Sequence, residues 1–373
     1  MPLKPSKKKI AFAGSSMTQK EVDYVVDAVK HGWYDTFDKD TKLFEQGIAA
    51  YTGRAYALAG FCCTHSMHLG CLVSGFGPGD EVICTDFSWA ATAHVIAYTG
   101  ATPVFVDIDP DTWCIDPKAI ADAITPKTKG IMLVHSFGQP ADMDAIMRIA
   151  REHNLRVVED AAPSLGSMYH GKSVGSFGDV GCFSFHGAKI AVAGEGGVFL
   201  TDSKEMYDQA VLQSNMGRTN RLANFWCDSM GYEYQMANVV AALCRAQVER
   251  IEELVAMKRR IFDWYWERLK NVPELKLLRE KPDTRCNYAY PAVLLQTDEI
   301  SRNDLVSQLK TLNIHARAAF PRMSKFPMYQ ARFKNPVASL VETHGFNLPS
   351  ALNITEADAD FVCTAVKHLL GRS

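Results

Sequence analysis

Two hydrophobic periods alternate along the chain. Short apolar runs at 56–59, 81–85, 104–107, 130–134 and 156–159 read as buried strands. Between and after them the spacing changes to that of helices, at 66–73, 90–98, 117–124 and 142–153. Sustained strand–helix alternation predicts a mostly parallel sheet covered by helices on both faces. Upstream, an arm leads to a helix at 21–30 capped by Thr18, with apolar positions Val22, Val25, Val26 and Val29, and a second helix at 41–51. Downstream, Gly171, Gly175 and Gly178 mark 168–179 as turns, 203–215 reads as a helix, and 216–230 is polar and irregular.

The longest helical pattern runs from 237 to 269, with Ile251, Leu254, Val255, Ile261, Phe262 and Tyr265 at helical spacing. It reads as the bridge out of a large domain. The remainder fits a small α+β unit, with strands at 288–295 and 315–317 and helices at 301–312 and 356–370. The expected division is therefore 1–250, an arm and large domain, and 251–373, a linker helix and small domain.

Composition narrows the function. The 373 residues are 47% hydrophobic and 22% charged with a net charge of −2, which gives neither nucleic acid nor an anionic membrane an electrostatic reason to bind. No apolar run is long enough to span a bilayer, and the basic N-terminus lacks the apolar core of a signal peptide, so the cytoplasm is the expected compartment. None of the ten cysteines forms a C-x-x-C pair, so free buried thiols and no metal site are expected.

The chemistry concentrates in 157–197. A strand there ends in Glu159 and Asp160, where open α/β sheets collect ligands. Further on, Lys189 sits among Gly187, Ala188, Ile190 and Ala191, just before the turn Gly194-Glu195-Gly196-Gly197. A lysine partly stripped of water is a usable amine nucleophile. Pyridoxal 5'-phosphate needs such a lysine, together with an acid that keeps its pyridine nitrogen protonated. Another strand runs through the turn 60–65 into a helix, an anion site at which Thr64 and His65 would face a phosphate. No G-x-G-x-x-G follows an early strand, which excludes a plain dinucleotide oxidoreductase, and no basic patch suggests a nucleic-acid binder.

The motifs E-D-A-A at 159–162, F-S-F-H-G-A-K at 183–189 and G-E-G-G at 194–197 resemble the DegT/DnrJ/EryC1/StrS sugar aminotransferases, over about 32–350. The resemblance implies an α/β, fold type I pyridoxal-phosphate transferase with a large domain and a small C-terminal α+β domain. It implies Lys189 as cofactor attachment point and proton carrier, Asp160 as pyridinium partner and Ser184 on the phosphate. Trp89 would lie over the ring, or else be core. A homodimer with composite active sites is implied, as is transfer from L-glutamate to a keto-sugar carried on a nucleotide and aminated at carbon 3 or 4, for polysaccharide or antibiotic biosynthesis. Relatives that carry histidine in place of the lysine dehydrate instead; Lys189 argues against that chemistry.

Four positions depart from the family pattern: Cys63 for Gly, Pro163 for Gln, Glu233 for Asn and Gln235 for Arg. A carboxylate beside a phosphate dianion is repulsive, so Glu233 is read as a substrate contact and not as a phosphate ligand. His186, either lining the site or serving the core, and Arg317 and Arg322, either anion ligands or solvated, complete the substrate candidates. The same departures motivate an alternative, a pyridoxal-phosphate-binding regulator or sensor with decayed catalysis.

Overall fold

The computed structural model describes residues 3–219 and 226–372. A central sheet of seven strands organises the molecule. In chain order its strands are β1 (Tyr56–Gly60), β2 (Glu81–Thr85), β3 (Thr102–Val106), β4 (Thr128–Val134) and β5 (Arg156–Asp160); then, after the short pair β6 (Met168–Tyr169) and β7 (Lys172–Ser173), β8 (Val180–Ser184) and β9 (Gly197–Thr201). The spatial order is β1-β9-β8-β5-β4-β2-β3, and β9 alone runs against the rest. Strands such as β2, β8 and β9 are buried at every position, so none of them shows the in–out alternation of a half-exposed strand.

The helices are α1 (Gln19–His31), α2 (Lys39–Thr52), α3 (Cys63–Val73), α4 (Ala91–Tyr98), α5 (Pro117–Ala123), α6 (Met143–Glu152), α7 (Lys204–Ser214), α8 (Asn238–Glu249) and α9 (Ile251–Leu269). Local chemistry sets their starts. Thr18 donates its N–H and O–H to the Glu21 carboxylate at 2.7 and 2.6 Å ahead of α1. Asp116, before Pro117, accepts the Lys118 amide at the start of α5.

A second sheet, β10 (Leu275–Leu277), β12 (Ala292–Leu295), β14 (Gly345–Asn347) and β13 (Arg317–Ala318), packs with α9, α10 (Arg302–Thr311) and α12 (Glu356–Leu369) around Tyr265, Val293, Leu305, Phe346 and Val362. Ile10 of the N-terminal arm joins that core, bridging to Ile314. β11 (Thr284–Arg285) completes a small sheet with β6 and β7.

The structure corrects the sequence reading at 237–269 and 168–179 and extends it elsewhere. The stretch 237–269 is two helices broken at Arg250, without a proline or glycine. The cause is tertiary: Arg250 is buried and its guanidinium binds Glu21 at 2.5 Å, Ser16 and Glu253, so the chain turns where the arm holds it. The stretch 168–179 holds the β6–β7 hairpin, not turns alone. Strands β8 and β9 and helix α11 (Pro336–His344) went unread, because Gly181, Ser184 and Gly197 dilute the apolar signal of the strands. The apolar stripe on α1 is not buried: Val22, Val26 and Val29 are 51%, 42% and 51% exposed, while Glu21 and Ala28 face α8. Of the irregular stretch 216–230, residues 220–225 lie outside the described residues. Among the described residues no helix is long and apolar enough to cross a membrane.

Candidate active site

The parallel strands of the central sheet end at one cavity of about 480 Å³. Its wall includes Val134 from β4, Asp160 from β5, Ser184 from β8 and, just past β2, Phe87, Ser88 and Trp89. Chain order and sheet order thus bring together residues far apart in sequence.

The adjacent carboxylates at the end of β5 separate by the strand's period of two. Glu159 turns away from the cavity and accepts the amides of Gly175, Phe177 and Gly178 at 2.7, 2.6 and 2.6 Å and the His135 ring at 3.0 Å. Burial pushes its pKa up, but the His135 hydrogen bond and the amides outweigh burial and hold it below the usual value. Asp160 faces the cavity. It accepts Thr92 Oγ1 at 2.7 Å and the Ala162 amide at 3.1 Å, and burial holds its pKa above the ordinary carboxylate range despite these bonds and the nearby Lys189. A buried acid so short of positive charge is suited to a cationic N–H partner.

Lys189 lies half-buried on a turn after β8, its amide bonded to the His186 carbonyl at 2.8 Å. Gly194, at φ 83°, closes the loop with a Gly187 amide bond to its carbonyl at 3.0 Å. Tyr290 Oη donates to the Ala188 carbonyl at 2.6 Å, fixing the turn from the opposite side.

Helix α3 starts at Cys63 without a side-chain cap, and Cys62, Cys63 and Thr64 all line the cavity. Its first-turn amides form an anion site. A Cβ on Gly197 would stand 2.4 Å from Cys63 N, so glycine there lets the helix start sit directly on β9. Cys63 has no positive φ, and its replacement of glycine leaves this turn unstrained. Burial and the Asp160 charge hold the Cys63 thiol well above its usual pKa, so it serves as a small neutral wall.

The other expected residues divide. Trp89 lies on the cavity wall, 62% exposed, its ring 6.3 Å from that of Phe320. Ser184 lines the cavity and accepts the His186 amide at 3.3 Å. His186 lines it too: Nδ1 accepts the Ala188 amide at 3.2 Å, and Nε2 lies 3.7 Å from Glu195. Arg317 reaches the cavity with its guanidinium 5.3 Å from the Phe12 ring centre.

Three do not join them. His65 points away and stacks on Tyr234, ring centres 3.9 Å apart, with its pKa lowered by burial. Arg322 is spent on structure, bonding the Lys334 carbonyl at 2.9 Å and lying 3.4 Å from Glu342 and 3.9 Å from Asp86. Glu233 is exposed and pairs with Asn215 in a β-bridge, outside the cavity of this chain.

Sequence reasoning missed Phe12, Phe137, Tyr290 and Asn347 on the wall, and Thr92 beside Asp160. Only Thr92 carried a signal, one helical turn after Ser88. The others come from the arm, a short 3-10 turn and the second sheet, which no motif connects to the cavity.

A buried acid, a half-buried amine, a serine hydroxyl, an uncapped helix start and an indole in one cavity match the requirements of pyridoxal phosphate. Fold and site together define a pyridoxal-phosphate-dependent transferase. Residues 15–367 match the DegT/DnrJ/EryC1/StrS aminotransferase family, and the chain belongs to it. It is 35% identical over 354 residues to a GDP-perosamine synthase of Escherichia coli O157:H7, covering 95% of this chain and 96% of that protein. A GDP-perosamine synthase of Caulobacter vibrioides is 35% identical over 370 residues, covering 97% and 98%. The solved PLP form of Spr1654 from Streptococcus pneumoniae superposes with a TM-score of 0.91 at 25% identity, covering 97% and 98% of the two chains.

Proposed function

We propose that the chain moves an amino group from L-glutamate to a keto-sugar carried on a nucleoside diphosphate, aminating carbon 3 or 4 of a deoxy sugar in the cytoplasm. The placement of Lys189 and Asp160 on one cavity carries this reading. Bound there, pyridoxal phosphate supplies an electron sink for the carbon that loses its proton.

The chain's residues do the rest. Asp160, ionised and held by Thr92 and the Ala162 amide, keeps the pyridine nitrogen protonated. The α3 amides with Thr64 and Ser184 would hold the phosphate, and Trp89 on the cavity wall would pack against the ring. Lys189 Nζ would anchor the cofactor, and its amine is placed to serve as general base and acid for proton transfer at the substrate carbon. Arg317, at the cavity wall without a carboxylate partner among the described residues, is placed to take a substrate carboxylate or phosphate.

The working unit in this reading is a homodimer. Val22, Val26 and Val29 of α1 are exposed with Trp33 and Phe37, an apolar face suited to a second copy. Glu233, outside the cavity of its own chain, is then available to the partner's.

Absorbance with pyridoxal phosphate, before and after glutamate and beside Lys189→Ala, tests the reading. A visible band that bleaches in the wild type only supports it. A band unchanged by glutamate sinks the glutamate-dependent reaction and favours the regulatory alternative.

A further inference from the structure

Lys258 of α9 is 1% exposed, and no carboxylate pairs with it among the described residues. Its ammonium donates instead to the Ala289 carbonyl at 3.1 Å, to Ser350 Oγ at 3.0 Å and to the Ser350 carbonyl. Burial lowers its pKa to about 7. An apolar residue would avoid that desolvation, so the acceptors are the reason for the amine.

Those acceptors belong to irregular backbone that carries the cavity wall. Ser350 also accounts for the arm: its amide donates to the Phe12 carbonyl at 2.9 Å, and its hydroxyl lies 2.8 Å from the Ala289 carbonyl. Phe12 and Tyr290 stack with ring centres 5.1 Å apart, and both line the cavity. From the segment that Lys258 holds, two side chains reach the catalytic loops. Asn287 Nδ2 donates to the Pro163 carbonyl at 3.0 Å, three residues past Asp160. Tyr290 Oη donates to the Ala188 carbonyl, one residue before Lys189.

We infer that Lys258 is a positioning residue for the cofactor site: it pins the segment 287–290 to the arm and to Ser350, and through Tyr290 and Asn287 that segment sets the loops of Lys189 and Asp160. Residues from both ends of the chain thereby fix the reach of the catalytic amine. The assignment concerns the chain's own geometry and stands whether or not the substrate is a sugar.

Hydrogen exchange on the full-length protein, with and without pyridoxal phosphate, tests it. Lys258→Met and Tyr290→Phe are each expected to speed exchange of the Gly187 and Lys189 amides about tenfold, the effect of losing one buried hydrogen bond. The double variant should exchange no faster than the faster single variant, because both changes break one chain of contacts. Ser350→Ala, which removes a single hydroxyl, gives a milder change of the same kind and guards against a folding failure of Lys258→Met. Exchange at Gly187 and Lys189 unchanged in Lys258→Met and Ser350→Ala, or effects that add in the double variant, would overturn the assignment. Failure of the glutamate reaction in the wild type would leave these readings intact.

Discussion

At the scale of single residues, Glu159 and Asp160 show how one strand gives neighbouring carboxylates opposite characters. Burial penalises both. Three amides and His135 satisfy Glu159, whereas Asp160 receives one hydroxyl and one amide and keeps a raised pKa. The sign of the linkage follows: a raised carboxylate contributes stability below its unfolded value and loses it as pH rises through the folded value. Asp160→Asn should therefore raise the melting temperature of the cofactor-free protein at pH 7 and flatten its fall with pH across the acidic range. The same change should weaken pyridoxal-phosphate binding on the order of 10–100-fold, the cost of losing a charged hydrogen-bond partner. Calorimetry and cofactor titration check both directions; a cofactor-free variant less stable than the wild type would refute the account. Glu159→Gln should instead destabilise by about 3 kcal/mol or more, since it breaks a buried pairing with the Arg54 guanidinium 3.7 Å away and the amides around it, which urea unfolding reads.

At the scale of elements, legibility in the sequence tracked how local the determinant was. Strands β1 to β5 and the helices between them are legible because burial on both faces writes short apolar runs. That Lys189, Asp160, Trp89 and Ser184 share one cavity is legible because each lies within a few residues of a strand end. The break between α8 and α9 was not, because it depends on Glu21 and Ser16 in the arm. Arg322 was misread for a similar reason: residue type alone does not reveal Glu342 and Asp86 beside it. The Glu21 to Arg250 contact has its own pH signature. Burial raises the Glu21 pKa, but hydrogen bonds from Thr18 and Arg250 prevail and bring it from 4.5 to about 2. This depressed group stabilises the fold above its unfolded value and loses that contribution as pH falls from about 4.5 toward 2. Glu21→Gln should cost about 2 kcal/mol at neutral pH, and its unfolding curve should converge on the wild type's in acid. A gap that persists at pH 2 would mean that packing of α1, not charge, is what Glu21 provides.

At the scale of the whole molecule, the α1 stripe carries the remaining argument. Its exposed valines, next to Trp33 and Phe37, follow the helical period that a buried face would show, yet the fold of one chain leaves them uncovered. Burying one valine is worth about 1.5 kcal/mol, and a twofold axis uses each substitution twice. A charge at the centre of the stripe, Val26→Asp, should therefore weaken a homodimer about 100-fold or more while leaving the monomer fold intact, because Val26 contributes little to the core of its own chain. Light scattering should give the wild type a mass near twice the 41.4 kDa of one chain, and Val26→Asp a mass near one chain at micromolar concentration. If the dimer completes the site with residues such as Glu233, the variant should also lose turnover at dilutions where the wild type keeps it. A wild type that stays monomeric would overturn the homodimer and, with it, the role of Glu233 in a partner's site.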